Sequence, residues 1–86
     1  MDQQTVSAMA IGTVLKEQRE QLGLSQQDIA ERLNYKNYNY ISMLENGRSS
    51  IPVKRLYDIF NAYEFDKGHF VIFVKKLLPE VWALII

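Results

Sequence analysis

The chain contains no cysteine and a single histidine, His69. The first absence excludes a disulfide framework and a thiolate metal site, and the second leaves no histidine cluster for a metal. Long apolar runs are missing too. The longest, residues 81–86, is far below the ~20 residues that a membrane-spanning helix needs, and Lys75, Lys76, Pro79 and Glu80 interrupt the apolar stretch before it. The start, MDQQTVSAMAIG, lacks a basic segment followed by a long apolar one, so no secretory signal is expected. There is no Gly-rich phosphate loop, no nucleophile with a base at suitable spacing and no metal-ligand spacing, and isolated Asp and Glu residues read as solvated helix faces. The expectation is a soluble cytoplasmic protein that is not an enzyme and uses no cofactor, metal or small-molecule ligand. An excess of charge of one sign is also absent, with ten basic residues against ten acidic. Nucleic-acid binders are usually basic, so any such reading must rest on where the charges sit.

What is present is an ordinary globular composition, 48% hydrophobic and 23% charged over 86 residues. So short a chain cannot divide its apolar residues between two stable cores, which makes residues 1–86 one domain. Residues 1–7 are polar, lack a period and read as a flexible arm. From Ala8 onward, Ile11, Val14, Leu15 and Leu22 fall on one helical face, and Gly23 is placed to end that helix in the left-handed conformation. Ser25 opens a second helix, with Asp28 as a shorter capping-box acid. Ile29, Ala30 and Leu33 face inward.

Residues 34–37 lack apolar periodicity and read as a turn. A third helix is expected over residues 38–45, with Asn37 as N-cap, Ile41 and Leu44 buried, and Asn46-Gly47 as the stop. After a polar loop, Pro52 suits the first position of a fourth helix that buries Val53, Leu56, Ile59, Phe60 and Tyr63. A break at residues 64–67 precedes a fifth helix with Phe70, Phe73, Val74 and Leu77 on one side. Pro79 disfavours helical geometry at Leu78, and residues 81–86 form at most a last short turn. No strand pattern is evident. The fold class is all-α, a compact bundle of about five helices.

Three stretches in this order, IGTVLKEQREQLGLSQQDIAERL, YISMLENGRSS and IPVKRLYDIFNAY, resemble the Cro/phage-repressor type of helix-turn-helix regulators, the Xre family. The resemblance covers about two thirds of the chain and implies a lambda-repressor-like DNA-binding domain. Residues 8–63 form its core, and residues 67–86 add a C-terminal helix and tail. In a helix-turn-helix the first helix crosses the DNA backbone and the second lies in the major groove. Residues 25–34 are then the positioning helix and 38–45 the recognition helix. Between Leu33 and Ile41 the chain carries one residue more than the family's usual turn, so positions are counted back from Ile41.

On that count the resemblance implies base contacts from Tyr38, Asn39, Tyr40, Ser42 and Met43. An Asn amide can bond adenine N6 and N7 together, and Met43 can pack on a thymine methyl. The tyrosines carry a second reading, in which Tyr35 and one of Tyr38 or Tyr40 fill the gap under the enlarged turn. The resemblance implies phosphate contacts from Gln26, at the start of the positioning helix, and from Asn46 and Arg48 just beyond the recognition helix, with Lys36 and Ser49 extending the strip. It assigns Arg19 and Glu45 to a structural ion pair that ties the recognition helix to the first helix. Glu17, Glu20, Asp58, Glu64 and Asp66 are expected away from the DNA face, with Lys36, Arg48, Lys54 and Arg55 near it, so that a neutral protein presents a locally positive strip.

Phe70, Phe73, Val74, Leu77, Val81, Trp82 and Ile85 make more apolar surface than a small helical domain is expected to cover. They are expected to build a two-fold homodimer, the alternative being that the tail folds back on its own core. Such a dimer sets two recognition helices ~34 Å apart and matches a palindromic operator. The function expected is a sequence-specific transcriptional regulator, a small repressor of a phage, plasmid, restriction-modification or toxin-antitoxin locus, with double-stranded DNA as partner. The competing reading is an antitoxin-like module whose apolar tail binds a partner protein such as a toxin.

Overall fold

Four helix ends among the described residues are set by one backbone device, a left-handed residue just past the last helical turn, formed by Gly23, Asn34, Gly47 and Glu64 with φ of 72°, 64°, 74° and 64°. In each, the next N–H reaches back to a carbonyl in the helix: Leu24 to Arg19 at 3.1 Å, Tyr35 to Ala30 at 2.9 Å, Arg48 to Met43 at 2.9 Å and Phe65 to Phe60 at 3.1 Å. These are Schellman closures, which satisfy carbonyls that the helix leaves open. Two of the four use glycine. Asn34 is a common substitute there, whereas Glu64 pays a steric cost for its left-handed backbone.

The computed structural model describes residues 5–85. In chain order they form β1 (Thr5–Ser7), a one-turn 3-10 helix (Ala8–Ala10), α1 (Gly12–Leu22), α2 (Gln26–Arg32) and α3 (Asn39–Glu45). Then follow β2 (Ser50–Pro52), a second 3-10 turn (Val53–Arg55), α4 (Leu56–Ala62), α5 (Lys67–Leu77) and α6 (Pro79–Ile85). The protein is mostly helical, with six α-helices among the described residues. The helix starts follow local chemistry. Ser25 and Asp28 form a reciprocal capping box, with N–H donors bonded at 3.0 and 2.8 Å, and Asp66 accepts from the His69 N–H at 2.8 Å to start α5. Asn37 acts one residue earlier than a standard N-cap, because its Oδ1 accepts from the Asn39 N–H at 2.9 Å while Tyr38 occupies the cap position.

Three elements differ from expectation. Thr5–Ser7 is a strand rather than part of a flexible arm, paired antiparallel with Ser50–Pro52 so that Val6 faces Ile51. Both of those side chains are buried. The pair is only three residues long on each side, too short for alternation to stand out from a polar segment. Residues 1–4 lie outside the described residues. Pro52 is the last residue of β2, not the first of a helix. Its ψ of 133° is extended, as pairing with Thr5 requires, and its fixed φ serves strand and helix start equally well. Finally, the tail is not an isolated turn: Leu78 breaks the helical path and Pro79 opens α6, the position where a missing N–H costs nothing.

The core joins both halves of the chain. Ile11, which precedes α1, and Leu15, Ile29, Ala30, Ile41 and Leu44 from the first three helices pack with Ile51, Leu56, Ile59, Phe60, Tyr63 and Val74, all fully buried. The Phe60 ring lies 5.5, 5.4 and 6.0 Å from those of Phe65, Phe70 and Phe73, so an aromatic cluster attaches α5 to α4. Val74, Leu78 and Val81 are buried in this same core, and Phe70, Phe73, Leu77 and Trp82 pack against it, half-buried. Most of the residues expected at a dimer interface are thus partly or wholly covered by their own subunit. The Phe60 ring of α4 covers Phe70 and Phe73, and the Lys75 ammonium lies 5.2 Å from the Trp82 ring centroid. The Ile85 side chain lies outside the described residues.

Candidate nucleic-acid interface

The position of α3 is fixed on its inner side by steric and electrostatic contacts with α1. A Cβ at Gly12, in the first turn of α1, would stand 2.7 Å from the Leu44 carbonyl oxygen and 2.9 Å from that of Glu45. Only glycine lets the start of α1 approach the last turn of α3 so closely. The positive end of one helix thereby meets the negative end of the other.

Beside this contact, Arg19 of α1 holds Glu45 of α3 in a bidentate pair, with Nε and Nη2 each 2.8 Å from a carboxylate oxygen. The Glu45 side chain is 1% exposed and that of Arg19 11%. Two further donors complete the carboxylate's shell: the Tyr63 hydroxyl at 2.7 Å and the Gln26 amide at 3.2 Å. Arg19 also donates to the Leu24 carbonyl at 2.9 Å. Burial pushes the Glu45 carboxyl up, but hydrogen bonds from Arg19, Tyr63 and Gln26 outweigh it and hold the group below its ordinary value. The bond to Glu45 raises Arg19, and burial followed by the same carboxylate raises Tyr63. One charge network therefore ties α1, α2, α3 and the end of α4 together. Sequence reading gave Arg19 and Glu45 but not Tyr63, which it placed on an apolar face. The available signal was that a buried tyrosine hydroxyl needs a partner.

With its inner face so held, α3 turns its start outward. Tyr38 is 50% and Met43 47% exposed, Asn39 is exposed and Ser42 half-buried. Tyr38 also lines a notch with Arg19, Ser25, Gln26 and Gln27, which brings the starts of α2 and α3 onto one surface. Tyr40 departs from the expectation of an outward base-reading side chain. It is half-buried, its ring meets Tyr35 edge-on at 5.2 Å, and its hydroxyl donates to the Ser50 carbonyl at 3.2 Å. These two half-buried rings pack together between the turn that follows α2 and the first turn of α3.

Of the expected phosphate ligands, Lys36, Asn46 and Arg48 are exposed. Ser49 is half-buried, and its buried hydroxyl has no hydrogen-bond partner among the described residues. Gln26 is half-buried and gives one N–H to Glu45. Two acidic residues are engaged elsewhere, Glu64 with Arg32 at 2.9 Å and Asp66 at the start of α5. The seven expected dimerisation residues include none that is freely exposed among those described; the large exposed apolar side chains of α5 and α6 are Val71, Ile72 and Leu84. No helix of the described residues is long and apolar enough to cross a membrane.

Comparison with known proteins places this geometry in context. A family model described as Helix-turn-helix matches residues 15–68. The wild-type restriction-modification controller protein C.Esp1396I is similar in structure, with a TM-score of 0.67 and 25% identity over 83% of this chain and 90% of that one. The same controller protein as a tetramer in complex with its natural 35 base-pair operator gives a TM-score of 0.64 and 27% identity over 86% of this chain and 92% of that one. No curated protein sequence matches the chain.

Proposed function

The chain belongs to the helix-turn-helix family of Cro/phage-repressor-type DNA-binding regulators, and from that premise we propose that it is a repressor that binds a palindromic operator as a homodimer with α3 in the major groove. The observation that carries this reading is the two-sidedness of α3. Glu45 fixes one side through Arg19, Tyr63 and Gln26, while Tyr38 and Asn39 at its start and Met43 one turn later face solvent. A side chain reads a base edge only if its helix is held in a definite position, and a helix held this way can discriminate.

The base-reading set is Tyr38, Asn39, Ser42 and Met43. Lys36, Asn46 and Arg48 contact phosphates, with Gln26 and Ser49 at the edges of the strip. The domain reading of the sequence carries over with a changed interface: the subunits meet through the exposed Val71, Ile72 and Leu84 rather than through Val74 and Val81. Similarity to a controller protein solved as a tetramer on its operator supports oligomeric binding and favours a restriction-modification locus over the other settings. The competing interaction-module reading is less supported, because much of the apolar tail is covered by its own subunit.

The test is to titrate the wild-type protein with duplex DNA from upstream of its own gene and with a scrambled duplex, at several salt concentrations. A regulator binds the first on the order of 10³-fold or more tightly, with affinity falling steeply as salt rises. Equal weak binding to both duplexes overturns the reading.

A further inference from the structure

The turn between α2 and α3 is closed at both ends by hydrogen bonds and in its middle by rings. At one end Asn34 carries the left-handed backbone and the Tyr35 N–H returns to Ala30. At the other, Asn37 caps the Asn39 N–H. Between them Lys36, Asn37 and Tyr38 are exposed, so backbone bonds alone leave the direction in which α3 departs poorly determined. Tyr35 supplies what is missing. Its ring abuts Tyr40, in the first turn of α3, at 5.2 Å and 62°, and the Arg55 guanidinium sits over its face, 5.5 Å from the centroid. Tyr40 in turn donates to Ser50.

Arg55 is half-buried and makes no ion pair among the described residues, although Asp58 lines the same groove. A cation without a carboxylate partner, placed on an aromatic face, is held by the ring's quadrupole and by packing of its stem.

We propose that Tyr35 and Arg55 are positioning residues for DNA recognition, which act through Tyr40 to fix the first turn of α3 and so set operator selectivity without touching DNA. The inference rests on α3 being the reading helix, as proposed above. It assigns a task to residues of the turn between α2 and α3: the Arg55–Tyr35–Tyr40 cluster braces the first turn of α3 from the segment that follows β2. Loosening the stack lets Asn39 and Met43 sample several registers against the base edges. Specific binding falls, while phosphate attraction, which needs no fixed register, persists.

The experiment compares wild type with Tyr35→Phe, Tyr35→Leu and Arg55→Met. Each is titrated with specific and scrambled duplex at several salt concentrations, at a temperature where its melting curve shows it folded. Tyr35→Phe keeps the ring and is expected to match wild type. Tyr35→Leu and Arg55→Met are expected to lose about tenfold or more in the specific-to-scrambled ratio, with scrambled affinity and salt slope unchanged. If Arg55 instead contacts a phosphate, Arg55→Met weakens both duplexes together and lowers the salt slope by about one, which overturns its role as proposed. If Tyr35→Leu does not fold, Arg55→Met alone decides. An unchanged ratio in every folded variant also overturns the inference, whereas a wild type with no selectivity overturns the functional reading beneath it.

Discussion

Arg19 and Glu45 are joined across α1 and α3 by two parallel 2.8 Å hydrogen bonds, in a site where the carboxylate is 1% exposed. The pair is therefore a matter of folding as much as of orientation. Removing one partner leaves the other charge buried, which costs about 3–5 kcal/mol. Glu45→Ala is expected to lower the melting temperature by about 4–8 °C for each kcal/mol in a domain of this size. Operator binding should fail at temperatures where that variant is unfolded. Tyr63→Phe removes a single bond to a charged acceptor and should cost less, about 1.5–3 kcal/mol. Thermal melts in which Glu45→Ala is as stable as wild type would contradict this account.

The same network fixes the sign of the pH dependence. Burial opposes ionisation of Glu45, but its three donors prevail and hold the folded carboxyl below its ordinary 4.5. A depressed carboxyl contributes stability that is fully present above the unfolded value and is lost as pH falls through the folded one. Asp28, held down by the Ser25 cap, and Asp66, held down by the His69 N–H, act in the same direction. Tyr63 acts at the other extreme: it is raised from 10.0, so its contribution is present below that pH and declines above it. Melting temperature should be level near neutrality and fall below about pH 4.5, and Glu45→Gln should flatten the acid limb. A variant with the same acid limb as wild type would remove Glu45 as its cause.

Gly12 sets how closely α1 and α3 approach through sterics. A methyl group there meets two backbone carbonyls closer than 3.0 Å, and backbone cannot give way as a flexible side chain can. Gly12→Ala should cost about 1–3 kcal/mol through overpacking, even though alanine is the better helix former. Because the clash bears on the last turn of α3, the specific-to-scrambled binding ratio should also fall in protein that remains folded. A neutral or stabilising Gly12→Ala would show that α1 and α3 separate without consequence.

For self-association, exposure decides which residues to change. Ile72 and Leu84 are 51% and 55% exposed on the subunit, so Ile72→Lys with Leu84→Lys should leave the subunit folded while converting a dimer to a monomer. Val74→Lys should instead unfold the subunit, because Val74 is wholly buried. Sedimentation equilibrium at micromolar concentration is the measurement. A wild-type monomer would contradict the dimer, and a dimeric double variant would place the interface elsewhere.

How much of this was legible before the structure depends on the range of the interaction. Gly23, the Ser25–Asp28 box and Gly47 act within five residues, and their chemistry is written in the local sequence. The apolar faces of α1 to α5 were likewise legible, because helical period repeats over two or more turns. The Arg19–Glu45 pair spans 26 residues, and family resemblance, not spacing, indicated it. The β1–β2 pair was not legible: its stabilisation comes from Val6 meeting Ile51, a contact 45 residues apart that no three-residue segment announces. Tyr38 and Tyr40 were equivalent in sequence. What distinguishes them is that Tyr40 meets the Tyr35 ring and the Ser50 carbonyl, contacts that exist only in the assembled fold. The apolar tail left two readings open for a related reason, since the sequence shows how much apolar surface exists but not how much of it the subunit's own core takes up.

The central claim is that the outward side of α3 reads bases, and the most direct measurement is made on Tyr38→Ala, Asn39→Ala and Met43→Ala combined in one protein. All three side chains are exposed on the described subunit, so the variant should keep the wild-type melting temperature and the same mass in sedimentation. Titrated with duplex from upstream of its own gene and with scrambled duplex at one salt concentration, it should bind both equally, at the wild-type affinity for the scrambled one. A folded triple variant that retains the wild-type preference for its own upstream DNA would contradict the account.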